Sequence, residues 1–151
     1  MNTRLLPSLA AMALLTTACG PHTMRGRVVV GESSYITVVD QDDHRLHENN
    51  GVAGALLKLQ LDPGRINRRV IAEETSDDDG TFTLPVDEFG AGVLELECGL
   101  LARRRGFKSA EGVFMLPSKG KSILIVMTPG RDAAGAYDEE PSAQEQIERF
   151  K

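Results

Sequence analysis

The chain has 151 residues, with 17 Lys and Arg against 22 Asp and Glu and a formal net charge of −5 at pH 7. That balance excludes a general electrostatic affinity for nucleic acid, and the length suits one domain with an ordinary core. No segment approaches the roughly 20 consecutive apolar residues that a membrane-spanning helix needs.

The first residues read as three zones: a polar start with one charge at Arg4, an apolar run from Leu5 to Leu15, then Thr16, Thr17 and Ala18 before Cys19. This is the pattern of an export signal helix, removed from the mature protein. The stretch Leu15-Thr16-Thr17-Ala18-Cys19 resembles a bacterial lipobox, with Ala18 in place before the cysteine and Thr16 where Leu is usual. An ordinary signal peptidase would cut the same bond and leave a secreted chain with a free N-terminal thiol. On the lipobox reading residues 1–18 are a lipoprotein signal peptide. Cys19 then carries acyl chains such as palmitate, and residues 19–24 are a short lipidated linker. Gly20, where an Asp would favour inner-membrane retention, points to the outer membrane facing the periplasm.

The mature chain, residues 19–151, loses Arg4 and keeps 16 basic against 22 acidic residues, a net of −6. With Cys19 acylated, Cys98 has no partner and reads as a small buried hydrophobe.

From Arg25 onward, short runs of Val, Ile, Leu and Thr alternate with Gly, Asp and Pro clusters, which predicts an all-β domain over residues 25–130. Arg25 to Val30 and Tyr35 to Asp40 are either one long strand bent at Gly31 or a hairpin turning on Gly31-Glu32-Ser33-Ser34. Further strands are predicted at Ala55 to Leu61, Val70 to Thr75, Thr81 to Leu84, Gly112 to Leu116 and Ser122 to Thr128. The clearest alternation runs from Val93 to Arg103, with Leu94, Leu96, Cys98, Leu100 and Ala102 on one face. The count is seven or eight strands, a number suited to an antiparallel Greek-key β-sandwich. After Gly130 the composition turns to Ala, Gly, Asp, Glu and Gln, which predicts a disordered acidic tail, 131–151, or a short helix capped at Ser142 with Ile147 and Phe150 on one face.

The order of motifs resembles the carboxypeptidase regulatory-like domains of the transthyretin-like (prealbumin-like) sandwich group. The matching pieces are Gly51-Val52-Ala53-Gly54-Ala55 opening a strand and Thr75-Ser76-Asp77-Asp78-Asp79-Gly80-Thr81-Phe82-Thr83-Leu84 as strand, turn and strand. Gly106-Phe107 follows the long alternating strand, and Ser122 to Pro129 closes the domain. In these pieces Gly80 is expected to supply the positive φ of a tight hairpin turn and Phe82 to return to the core. The resemblance implies a sandwich that serves as an accessory module. It carries no shared catalytic set.

Enzymes on related sandwiches leave recognisable residues. Ring-cleaving dioxygenases of this architecture need two Tyr and two His on iron, whereas Tyr35 and Tyr137 bracket His44 and His47 in the wrong order. Hydroxyisourate hydrolases end in Tyr-Arg-Gly-Ser, whereas this chain ends Glu148-Arg149-Phe150-Lys151. His22, expected in the linker, His44 and His47 lack a nucleophile elbow around any partner serine.

If every strand spans the sandwich, the loops after Asp40 and after Thr75 share an end. Asp40, Asp42, Asp43 and Glu48 then approach Asp77, Asp78 and Asp79, oxygen ligands of the kind calcium takes, with His44 and His47 three apart for a transition metal. Neither loop has a complete spaced ligand set, so these residues read first as turn residues. The same parity sends Arg65, Arg68, Arg69, Lys119 and Lys121 to the opposite end, toward the membrane if residues 25–40 are one strand. Arg103 to Arg105 and Lys108 join the acidic end. The expected function is a membrane-anchored, non-catalytic structural or protein-interaction module of the cell envelope. A calcium- or small-ligand-binding module is the alternative, and an enzyme of unfamiliar type the third.

Overall fold

The computed structural model describes residues 22–132 apart from 67, 89, 92 and 93. The signal segment, Cys19 and the tail from 133 onward lie outside the described residues. Eight strands follow one another: β1 His22–Val30, β2 Tyr35–Asp40, β3 Leu56–Leu61, β4 Arg69–Thr75, β5 Thr81–Val86, β6 Glu97–Arg103, β7 Ala110–Met115 and β8 Lys121–Met127. They form two four-stranded sheets, ordered β2-β8-β1-β5 and β4-β3-β6-β7, stacked as a sandwich. Among the described residues no helix is long and apolar enough to cross a membrane.

Period-two patterning explains most strands. Leu57 and Leu59 on β3, Phe82 and Leu84 on β5, and Cys98, Leu100 and Ala102 on β6 are all buried between the sheets. β8 departs from alternation: Ile123, Ile125 and Met127 enter the main core, while Leu124 and Val126 are also buried, on the outer side. A central strand covered on both faces tolerates such a continuous apolar run.

The relation of β1 to β2 is neither of the two expected arrangements. Both lie in one sheet, but β8 occupies the position between them, parallel to β1 (Gly26 opposite Ile123) and antiparallel to β2 (Tyr35 opposite Val126). The sandwich is therefore not wholly antiparallel. Four residues, 31–34, step over the end of β8, where the Gly31 amide donates to the Met127 carbonyl at 3.0 Å. Two strand spacings are about 10 Å, well within the reach of four residues.

Other boundaries shift as well. β1 begins at His22, so the linker expected over 19–24 gives up its last three residues to the sheet. The His22 ring is buried and shares a 3.1 Å hydrogen bond with the Pro117 carbonyl. β6 starts at Glu97 rather than Val93, because a bond from the Leu94 amide to the Gly90 carbonyl, 2.7 Å, closes a turn that leaves Leu94 half exposed. The Thr75–Thr81 turn is not a hairpin: β4 and β5 belong to different sheets, and the turn is a corner between them.

At that corner Ser76 is buried, its hydroxyl donating to the Val52 carbonyl at 2.7 Å and accepting from the Ala55 amide at 2.9 Å. Ser76→Ala would orphan both backbone groups. Urea denaturation is expected to show a loss of about 2 kcal/mol, read as a lower midpoint at unchanged slope. A midpoint equal to wild type would mean that water replaces the hydroxyl.

Candidate functional site

The two ends of the sandwich hold most of the charged side chains. The proximal end is the one where β1 begins. It carries His22, Asp40 at the close of β2, the 62–68 loop, the segment after Val86 and the 116–120 loop. The distal end carries residues 31–34, 51–55, 76–80, 104–109 and 128–132.

Asp40 is therefore at the end opposite Asp77 to Asp79, contrary to the parity expectation. Its carboxylate meets the Lys121 ammonium at 2.6 Å, a residue expected at the other end. The reason lies in residues 41–50, which do not turn at the end of the sheet. They climb its outer face, seat Leu46 over Val29, Val39, Leu124 and Val126, and reach the distal end at Asn50. Arg27, 9 % exposed, fastens this segment by donating Nε to the Asp79 carbonyl at 2.8 Å and an η nitrogen to the Leu46 carbonyl at 2.7 Å. Sequence reasoning passed over Arg27. Its signal was an Arg directly before the apolar run Val28 to Val30, on the outer face of β1 that Arg25 shares.

The climbing segment contains a single 3₁₀ turn, His44–Leu46, capped by Asp43. The Asp43 carboxylate accepts from the Arg45 amide at 3.0 Å and from its guanidinium at 3.0 and 2.7 Å. These bonds, the guanidinium foremost, hold its carboxyl down at about 2. Arg45 also reaches the Tyr35 hydroxyl at 3.4 Å, and the exposed His44 ring stands 3.7 Å from the carboxylates of Asp43 and Glu48. Between this turn and the end of β1 lies an open cleft of about 370 Å³, floored by Val29 and Val126 and rimmed by Tyr35, His44 and Glu48. Its polar side chains are mostly engaged with one another. No hydrogen bond joins His44 or His47 to a serine or cysteine among the described residues.

The acidic candidates for a metal do not converge. Asp40 is held by Lys121, Asp43 by Arg45, and Asp77 and Asp79 turn back onto Thr81, whose amide donates to them at 2.7 and 3.1 Å. A hydrogen bond with Asp77 first, then the Thr81 amide, keeps the Asp79 carboxyl below its ordinary range. Asp42 and Asp78 are both exposed. Among the described residues no group of three or more His, Cys, Asp or Glu could hold a metal ion. Cys98 is wholly enclosed in the core, and burial first, then the nearby Asp62, Glu88 and Glu97, pushes its thiol up to about 11.

The basic residues fall as the parity argument placed them, with Arg65, Arg68, Arg69, Lys119 and Lys121 proximal and Arg103 to Arg105 with Lys108 distal. At the proximal end several are neutralised: Arg69 by Glu88, Arg65 by Asp62 at 3.8 Å and Lys121 by Asp40.

The outer face of the second sheet mixes exposed apolar side chains with charged ones. Val113, 57 % exposed, and Met115, 48 %, stand two apart on β7, while Leu56, 40 % exposed, lies two strands away beside Arg103, with the Lys58–Glu73 ion pair on the same face. No family model matches this chain, and no curated protein matches it.

Proposed function

We propose that this protein is an exported lipoprotein, anchored through Cys19, whose β-sandwich presents a protein-interaction face in the cell envelope. The observation that carries the reading is the junction of anchor and fold. Cys19 stands three residues before His22, and His22 already lies in the β1 ladder opposite Val86. Three residues reach only about 10 Å, so an acylated Cys19 holds the proximal end against the bilayer. The outer face of the second sheet then stands to the side, and the distal end faces away.

Val113 and Met115, neighbours on one face of β7, make the partner-facing patch. An apolar group of this kind on an otherwise polar small domain marks an interaction site, and β7 is an edge strand whose outer backbone groups are open to strand addition. The accessory role implied by the carboxypeptidase regulatory-like resemblance agrees with this reading and names no partner.

Affinity capture from detergent-solubilised membranes tests it. The wild-type mature chain is expected to recover a specific envelope protein. The double variant Val113→Lys, Met115→Lys should lose at least about tenfold of that recovery, the equivalent of 1.4 kcal/mol. A chain truncated after Asp132 should keep it. The truncation begins there because Asp132 accepts hydrogen bonds from the Ser109 amide, at 2.8 Å, and hydroxyl, and so belongs to the domain. Equal recovery with the double variant, or loss on truncation alone, would move the binding site off this face.

A further inference from the structure

The 62–68 loop, which joins β3 to β4, carries Ile66, the most exposed large apolar side chain among the described residues at 108 % of its reference area. An isoleucine there adds nothing to the core. The loop itself is built rather than slack: the Asp62 amide donates to the Glu97 carbonyl at 3.1 Å, Arg65 to Asp62 at 2.9 Å and Arg68 to Arg65 at 3.2 Å. Pro63 fills the space beside Gly99. Two backbone-closed turns thus hold an apolar tip out into solvent, between Arg65 and Arg68.

That tip is at the end where the chain enters the fold. His22 pairs with Val86, and two residues beyond it the Glu88 carboxylate grips Arg69, the residue that follows the loop. The residues that precede His22 therefore join the fold at the same end as the exposed isoleucine. Asp62, Glu88 and Asp40 are each engaged by a basic partner there, and Arg68 and Lys119 meet no carboxylate among the described residues. Asp42, Asp87 and Glu95 at this end leave no excess of positive charge. Bulk attraction to anionic lipid is thus weak, and any contact relies on the apolar tip and on local hydrogen bonding.

We propose that the 62–68 loop is a second membrane contact. Ile66 enters the interfacial layer of a phospholipid surface while Arg65 and Arg68 donate to lipid phosphates, which fixes the orientation of the domain. Arginine suits this position because its guanidinium bonds phosphate oxygens in pairs while its stem stays in apolar surroundings. The inference rests on the Cys19 anchor, because a tether raises the effective concentration of a single weak contact.

The chain has no tryptophan, so Ile66→Trp places one reporter at the tip without disturbing any packing. The mature chain, residues 19–151, is coupled through its Cys19 thiol to a maleimide-bearing lipid, the enclosed Cys98 staying silent. The vesicles are phosphatidylethanolamine and phosphatidylglycerol with brominated acyl chains. On tethering, the Trp emission is expected to move to shorter wavelength, to be quenched by the bromines and to lose most of its quenching by acrylamide. The companion Val113→Trp should keep the emission of a water-exposed indole. Unchanged emission from Ile66→Trp, or equal bromine quenching at both positions, would overturn the proposal. Because coupling supplies the tether chemically, either result is independent of whether cells acylate Cys19, which the mass of the native N-terminus reports.

Discussion

Replacing Cys19 by serine is expected to move the protein from the membrane pellet to the soluble fraction while leaving its melting temperature unchanged. Lipid contributes about 0.8 kcal/mol per buried methylene, so two or more acyl chains make attachment effectively permanent, whereas one isoleucine tip in the interface cannot hold a free chain. The fold does not depend on the anchor, since the β1 ladder begins at His22. Fractionation with a high-salt wash reads the first expectation and a thermal melt the second. A serine variant that stays in the washed pellet would show that protein contacts, not lipid, retain the chain. Mass spectrometry of the wild-type N-terminus completes the test, with an unmodified Cys19 in a soluble fraction overturning the anchor.

The second large effect concerns two glycines that differ in one respect. Gly80 and Gly106 both adopt positive φ, 86° and 88°. A side chain at either costs about 1–2 kcal/mol in that conformation. A Cβ at Gly106 meets nothing within 4 Å, whereas at Gly80 it would stand 2.3 Å from the Val28 carbonyl oxygen. The Gly80 carbonyl itself accepts from the Val28 amide at 2.8 Å, so the two backbones cannot part without losing that bond. Gly106→Ala is therefore expected to lose only the conformational cost, and Gly80→Ala at least about 3 kcal/mol, a large part of a small domain's stability. Urea denaturation of both variants measures the difference. Equal losses would mean that the corner relaxes freely and that β1 does not depend on its close approach.

Much of the sandwich is legible in residue order because strand periodicity is a local property. Leu57 and Leu59, Phe82 and Leu84, and Cys98 to Ala102 announce their inward faces, and the apolar run of β8 announces a strand covered twice. Sheet order is not local. Nothing near Gly31 says that residues almost a hundred positions later will fill the space between β1 and β2.

Two features of the chain depart from one strand over 25–40 followed by a turn at the sheet end. The chain reverses between β1 and β2, and the polar run from Gln41 to Asn50, with Leu46 its only large apolar residue, climbs a face instead of turning. The two departures cancel, so the basic residues of the 62–68 loop still lie at the end where β1 begins. Asp40 does not benefit from the cancellation, because it precedes the climb. The acidic candidates are dispersed as well: Asp43, Asp40 and the pair Asp77 and Asp79 found nearer partners in Arg45, Lys121 and Thr81, while Asp42 and Asp78 stand exposed. Ile66 was visible in Arg65-Ile66-Asn67-Arg68-Arg69 as a lone apolar residue among cations, but only its position beside the chain's entry point gives it meaning.

The slot between β1 and β2 also sets a timetable. A chain that emerges N-terminus first, from a ribosome or across a membrane, makes β1 and β2 early and leaves a gap between them until Lys121 to Met127 arrive. Pairing at such sequence separation is slow, because a long loop must close before its contacts form. The first sheet cannot be completed on a partial chain. β1 and β2 thus stay unjoined until the end of synthesis or passage, and the last strand to appear is the one that locks the first two in place.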